Sequence, residues 1–265
     1  MPLPDNFEFV HEVFSKISHK YDVMNDLESL GLHRLWKARL VEELAAAQPR
    51  RVLDLACGTG DIALALAKAL PKAEIIGLDF NEAMLSIAKS RATREVPLGF
   101  VVTMQESDAT SGQVGVPGRI GNAARAKSTN NLRFMAGNAL ELPFEDESFD
   151  AVSISFGLRN MPDYAQVLTE MHRVLRSGGR MFCLEASYPT NKLVKPPFKL
   201  YFKYWLPTLA KFIVNSPKEY SWLNTSTEAF LGKNELALLM QQTGFSEVRY
   251  SSYLLGAAAL HRGTK

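Results

Sequence analysis

The chain has 265 residues, a length for one or two domains with a sizeable core. At 46% hydrophobic and 22% charged it is neither disordered nor fibrous, and a net charge of +2 excludes a global electrostatic pull on nucleic acid. Two distant cysteines, Cys57 and Cys183, exclude a disulfide framework and a cysteine zinc cluster and fit a reducing, intracellular compartment.

The start, Met1-Pro2-Leu3-Pro4-Asp5, carries no signal- or transit-peptide pattern, and no run of about 18 apolar residues reads as a membrane span. Mixed three-, four- and seven-residue apolar spacings predict a helix over 7–30, and a second, Ala- and Leu-rich helix over 36–47 stops before Pro49. A regular alternation follows. Strands are expected over 52–56 and 74–78, the second ending at Asp79. Helices are expected over 61–70 and from an Asn81 N-cap to 92. Strands at 132–136 and 149–155, a helix at 163–175, a turn at 176–179 and a strand at 180–185 continue the pattern. A helix over 234–243 and strands over 247–251 and 257–261 close it. Strand–helix alternation predicts βαβ units and a largely parallel sheet covered on both faces.

Two stretches break the rhythm. Residues 95–131 hold five glycines and no period, and read as a flexible insertion, since ordinary connections take about two to six residues. Residues 188–222 are rich in aromatics and carry Lys192, Lys195, Lys199, Lys203, Lys211 and Lys218 against one acid, Glu219. Lys195, Lys199 and Lys203 share one helical face opposite Phe198, Tyr201, Phe202 and Trp205, the pattern of a helix at a membrane surface, with a core-packing helix as the plain alternative.

A strand, then Gly58-Thr59-Gly60, then a helix is how open α/β sheets bind nucleosides at the carboxyl ends of their strands. Asp79 ends the next strand, where its carboxylate suits a pair of ribose hydroxyls. Gly58-x-Gly60-x-x-Ala63 also satisfies a dinucleotide fingerprint. Asp54 weighs against that reading, because an acid two residues before the turn repels a pyrophosphate. The same acid suits the sulfonium and α-ammonium groups of S-adenosylmethionine, so the charge pattern favours a methyl donor over NAD.

Further motifs carry a family resemblance. Tyr21-Asp22-Val23-Met24-Asn25-Asp26 with Ser29, His33 and Trp36 resembles the N-terminal signature of the quinone C-methyltransferases of menaquinone and ubiquinone biosynthesis. The segment from Leu53 to Asp61, Gly137-Asn138-Ala139-Leu140-Glu141-Leu142-Pro143-Phe144, Ile154-Ser155-Phe156-Gly157-Leu158-Arg159-Asn160, the segment from Arg173 to Gly179, and Ala259-Leu260-His261-Arg262-Gly263 are similar to its other motifs. Glu28, Cys57 and Ser177 depart from the family's usual residues without removing a polar group from the site. The resemblance implies one S-adenosylmethionine-dependent methyltransferase domain over 1–265, an α/β fold with a doubly wound, mostly parallel seven-stranded sheet whose last strand is antiparallel. It also implies N-terminal helices and a substrate-side cap over 188–230.

It further implies methyl transfer to a ring carbon of a prenylated quinol, demethylmenaquinol to menaquinol, with the equivalent step of ubiquinone biosynthesis as the sibling. O-methylation of a small sterol or phenol and a silent S-adenosylmethionine-binding scaffold are the alternatives. Cofactor contacts are expected from Asp54, Gly58, Thr59, Gly60, Asp79, Asn138, Ala139 and Ser155. A ring carbon is a poor nucleophile until a phenol proton leaves. Arg159 and Asn160, after the fourth strand, and Tyr21 and Asp22, on the N-terminal helix, are the expected catalytic residues. Arg159 would stabilise a phenolate or orient a water at the mouth of the site, or else pair with Asp163. His33 and His172 are assigned to surface or capping roles. No metal is expected. The expected partners are the quinol and a peripheral contact with the inner face of the membrane from a cytoplasmic protein, with a homodimer left open and no nucleic acid.

Overall fold

The computed structural model describes residues 12–16, 23, 25–26, 29–95, 131–187, 196, 200, 226–227 and 229–265. Tyr21 and Asp22 lie outside the described residues, as do almost all of the expected insertion over 95–131 and of the cap and basic aromatic stretch over 188–230. Within the predicted N-terminal helix, residues 12–16 are helical, as are Val23, Asn25, Asp26 and Ser29.

The elements then run α1 (His33–Ala46), β1 (Arg51–Leu55), α2 (Asp61–Ala69), β2 (Glu74–Asp79), α3 (Glu82–Glu95) and β3 (Leu132–Ala136). They continue with β4 (Phe149–Ser155), a 3₁₀ turn (Leu158–Asn160), α4 (Tyr164–Val174) and β5 (Leu175–Ala186). After α5 (Lys233–Gln242), β6 (Ser246–Tyr253) and β7 (Ala258–Thr264) close the chain, joined by a second 3₁₀ turn (Leu254–Gly256). The seven strands form one sheet in the order β3-β2-β1-β4-β5-β7-β6. Neighbours from β3 to β5 are parallel, and β7 is antiparallel to both β5 and β6.

Both faces of the central strands β1, β2 and β4 are buried, which is why they read as largely apolar runs. The two-residue strand period divides their side chains. Val52, Ile75, Phe182 and Leu184 pack with Leu40, Leu44, Ile62, Leu66 and Leu85 on one side. Leu53, Leu55, Ile76, Val152 and Cys183 pack with Val167, Met171, Leu236 and Met240 on the other. In α1 the buried residues His33, Trp36, Leu40, Val41 and Leu44 recur at helical spacing. Asn81 caps α3 as expected, accepting the Met84 N–H at 3.1 Å. Asn131 ties the start of β3 to the end of α2 by donating to the carbonyls of Ala67 and Leu70.

The turn expected at 176–179 is instead an irregular stretch within β5. Leu175 pairs with Phe149, the register shifts, and pairing resumes at Ala151 and Arg180. Gly178, at φ +75°, absorbs the kink. No helix among the described residues is long and apolar enough to cross a membrane.

The strand order reverses between β1 and β4, and in open α/β sheets that switch point is where ligands bind. Both strands end there in a non-glycine residue with left-handed backbone, Ala56 at φ +48° and Phe156 at φ +55°. Neighbouring strands hold the two turns: Cys57 N–H donates to the Leu78 carbonyl at 3.1 Å and Phe156 N–H to the Leu184 carbonyl at 2.8 Å. The turns are also packed together, since a Cβ on Gly157 would stand 2.6 Å from the Ala56 Cβ. Such backbone costs about 1–3 kcal/mol per residue and persists only where its surroundings over-determine it.

Candidate active site

The site grows out of the turn between β1 and α2. Gly60, at φ +87°, starts α2, and a Cβ there would meet Phe134 and Ala88 at about 3 Å, so only glycine fits. Gly58, at φ +55°, faces open space: a Cβ there would meet nothing within 4 Å. Asp79 joins this turn to the one after β2. Its Oδ2 accepts the Gly58 N–H at 2.8 Å and its Oδ1 accepts the Asn81 N–H at 2.9 Å. These two bonds orient the Asp79 carboxylate at the end of β2, beside the glycine turn. Asn81 also donates to Ser15 Oγ at 2.9 Å, which docks the N-terminal segment over the same edge.

A charged lattice braces the glycine turn. Lys37 Nζ reaches Asp61 Oδ2 at 2.8 Å and Arg91 Nη1 reaches Asp61 Oδ1 at 2.6 Å. The same Arg91 nitrogen donates to the Thr59 carbonyl and hydroxyl, each at 3.2 Å, so Thr59 anchors the turn to α3. Burial opposes ionisation of Asp61, yet Lys37 and Arg91 hold its carboxyl down to about 2.

Asp54 stands beneath the turn and does not line an open surface; it is 1% exposed. Its partner is Ser153 on β4, whose hydroxyl donates to Oδ1 at 2.7 Å, while Oδ2 has no hydrogen-bond partner. Burial pushes its carboxyl up to about 7, against the hydrogen bond from Ser153 and the charge of Lys37. At neutral pH it is therefore poised between charge states, and a cation bound above the turn favours its ionised form. Cys57 and Cys183 are buried free thiols, each pushed well above the usual thiol range by burial.

The remaining candidates line the carboxyl ends of β3 and β4. Asn138 is exposed and closes a local turn, its Oδ1 accepting the Leu140 N–H at 3.0 Å. Ala139 beside it is buried. Ser155 ends β4 with a buried Oγ that has no hydrogen-bond partner. Asn160 donates weakly to the Phe156 carbonyl at 3.4 Å and leaves a buried Oδ1 without a partner. Buried polar atoms are rarely left unmet, so both atoms mark a place for a further donor or acceptor.

Arg159 requires a correction. It does not stand open at the mouth; it is 1% exposed and forms a buried ion pair. Its partner is not Asp163, which caps α4 by accepting the Gln166 N–H. The partner is Glu185, at the carboxyl end of β5 and itself 1% exposed, with Arg159 Nη1 donating to Oε2 at 3.0 Å. Sequence reasoning missed Glu185, although a lone acid closing the apolar run Met181-Phe182-Cys183-Leu184 is the same signal that singled out Asp79. It also missed Lys37, Asp61 and Arg91. His33 is not at the surface either: it is buried, its Nδ1 lies 2.9 Å from Ser29 Oγ, and burial together with Lys37 holds it down to about 4. His172 packs edge-on against Phe245. Asp79, Asp54, Gly58, Ser155, Arg159 and Asn160 thus converge on one edge of the sheet. The arrangement suits a ligand with vicinal hydroxyls and a cationic group, next to a second polar ligand.

Comparison with known proteins bears on the fold and the family. Solved structures with the same fold include an S-adenosylmethionine-dependent methyltransferase from Thermotoga maritima (TM-score 0.60, 20% identity, 97% of this chain and 99% of that one). Another is from Methanococcus maripaludis (TM-score 0.58, 17% identity, 99% and 97%). Much nearer in sequence is the demethylmenaquinone methyltransferase of Staphylococcus aureus strain JH9, 40% identical over 98% of this chain and 94% of that protein. The sequence model of the ubiE/COQ5 methyltransferase family matches residues 4–110 and 119–265, leaving out only 111–118 between them. The chain belongs to the ubiE/COQ5 methyltransferase family.

Proposed function

We propose that the chain transfers a methyl group from S-adenosylmethionine to a ring carbon of a prenylated quinol, converting demethylmenaquinol to menaquinol. The observation that carries this reading is the 40% identity, over nearly the whole of both chains, to a demethylmenaquinone methyltransferase. The residues present fit the cofactor. Gly58 leaves room for close approach, the Asp79 carboxylate would take the ribose hydroxyls, and the unpartnered Ser155 Oγ would meet the methionine part. Asn138 and Ala139 meet the adenine. When bound, S-adenosylmethionine supplies a methyl group activated on a sulfonium. Asp54 contributes negative charge beneath that cation.

The chain's own residues then have two tasks, alignment and proton handling. Holding the ring carbon in line contributes up to about 7–11 kcal/mol in favourable model systems. Asn160 accepts the ring hydroxyl through its unpartnered Oδ1, and Arg159 stabilises the phenolate through its field. Tyr21 and Asp22 complete the set from the N-terminal segment, with Asp22 taking the proton. Residues 192–218 form the substrate-side cap and the contact with the membrane in which the quinol resides, each lysine adding on the order of 1 kcal/mol near an anionic surface.

The test is methylation by the purified chain with labelled S-adenosylmethionine and either demethylmenaquinol or the corresponding benzoquinol, with product fragmentation to separate C- from O-methylation. Label on the ring carbon of the naphthoquinol is the expected result. Transfer to oxygen, or to neither quinol, overturns the reading.

A further inference from the structure

We propose that Glu185 is a positioning residue of this site, acting through Arg159; the proposal rests on the reading of the chain as a quinol C-methyltransferase. The Glu185 carboxylate grips Arg159 twice. Oε2 accepts from the guanidinium Nη1 at 3.0 Å and Oε1 from the Arg159 backbone N–H at 3.3 Å. The Ala186 N–H donates to Oε2 at 3.2 Å. One carboxylate at the end of β5 therefore fixes both the side chain of Arg159 and the 3₁₀ turn Leu158–Asn160 that follows β4. That turn carries Asn160, whose Oδ1 lacks a partner, and it follows Ser155, whose Oγ lacks one too.

Stability alone is a weak reason for such a pair. Burying two charges costs several kcal/mol per ion, and replacing a buried pair with apolar residues is often neutral or stabilising. The surroundings of Glu185 are suited to an apolar residue: Leu184 precedes it, and Ala259 lies opposite on β7, both buried. The acid interrupts this apolar environment at the one end of the sheet where ligands bind.

The carboxylate also sets the charge that Arg159 presents. With Glu185 ionised the pair is neutral. Without it the guanidinium loses this counter-charge and its field stabilises a ring phenolate more strongly, lowering both the hydroxyl's pKa and the nucleophilicity of the anion. Among the described residues, Tyr164 of α4 and Cys183 of β5 feel the Glu185 charge, and Lys37 of α1 shares the Phe156 ring with Arg159. The Tyr164 hydroxyl donates to the Arg159 carbonyl at 3.5 Å. Lys37 Nζ stands 5.9 Å from the centroid of the Phe156 ring, and the Arg159 guanidinium carbon 5.7 Å from the same centroid.

The experiment compares wild type, Glu185→Gln and Glu185→Asp as full chains, reading thermal midpoint, S-adenosylmethionine affinity by calorimetry, kcat, KM and the pH–rate profile with demethylmenaquinol. Glu185→Gln keeps the shape and loses the charge. It is expected to bind S-adenosylmethionine like wild type, to lose about tenfold or more in kcat with KM little changed, and to move the rising limb of the profile about one unit to lower pH. Glu185→Asp keeps the charge but is one methylene short; its limb stays in place while kcat falls. Wild-type kcat and limb in Glu185→Gln overturn the proposal. If that variant does not fold, a wild-type kcat in Glu185→Asp overturns it. A wild-type chain inactive on every quinol overturns the functional reading and this proposal together, whereas an active wild type with unaltered variants overturns this proposal alone.

Discussion

Replacing Arg159 with alanine removes one member of an ion pair in which both side chains are 1% exposed. The carboxylate left behind has no water to turn to, and breaking a buried pair from one side costs about 3–5 kcal/mol. In a domain of this size each kcal/mol lowers the melting temperature by about 2–4 °C, so the single variant should melt roughly 6–20 °C below wild type. Loss of turnover in Arg159→Ala therefore mixes catalysis with stability. The double variant Arg159→Met/Glu185→Leu separates them, because filling the same volume with apolar groups removes the stranded charge. Urea unfolding should place the double variant within about 1.5 kcal/mol of wild type and the single variant well below both. Calorimetry should find S-adenosylmethionine binding intact in the double variant, while turnover stays at least about 100-fold down, the scale expected of a lost electrostatic stabiliser. Recovery of turnover in the double variant would refute a catalytic part for the Arg159 charge. A single variant as stable as the double would refute the buried pair itself.

The other expectations concern the cofactor turn. Asp79→Ala removes the acceptor of the Gly58 and Asn81 N–H groups, each charged bond contributing about 1.5–3 kcal/mol; S-adenosylmethionine affinity by calorimetry should fall about 100-fold or more, and unchanged affinity would remove Asp79 from the ribose. Gly58→Ala places a side chain at φ +55° in open space, with a strain of about 1–2 kcal/mol; its melting temperature should drop only slightly while cofactor affinity falls steeply, and intact affinity would mean that the space does not face the ligand. Asp54, pushed up to about 7, is still protonated in the native state at pH 6 but ionised in the unfolded chain, so the native state binds more protons and its stability falls as pH rises from 4 to 7. Stability of Asp54→Asn relative to wild type should therefore grow by on the order of 4 kcal/mol between pH 4 and pH 8; parallel urea profiles would contradict the poised carboxyl.

What could be read in advance was what is local along the chain. Val52-Leu53-Asp54-Leu55 followed by two glycines and an apolar helix specifies a strand, a turn and a helix by nearest-neighbour rules, and an acid closing the next apolar run marks Asp79. Asn81 as an N-cap is a contact three residues long. The partners of charged groups were not legible, because they depend on strand order. Arg159 and Glu185 are 26 residues apart and meet only because β4 pairs with β5. Ser153 meets Asp54 across 99 positions because β1 lies between β2 and β4. An arginine near an asparagine and an aspartate is read as paired with the nearer acid, and here the nearer acid is occupied as a helix cap.

The backbone at the switch point was hidden for a different reason. Left-handed conformations are read from glycines, yet the residues that turn left-handed where β1 and β4 end are Ala56 and Phe156. Neither residue advertises it; the conformation is imposed by the Leu78 and Leu184 carbonyls of the flanking strands and by the close approach of Gly157 to Ala56. Gly157 is thus the visible sign of a constraint whose cost falls on its neighbours. That constraint sets the two turns side by side, with Gly58, held by Asp79 from the end of β2, on one and the Arg159–Asn160 turn on the other. A glycine chosen for close packing, and not for its own φ, is therefore what brings the cofactor half and the substrate half of the site together.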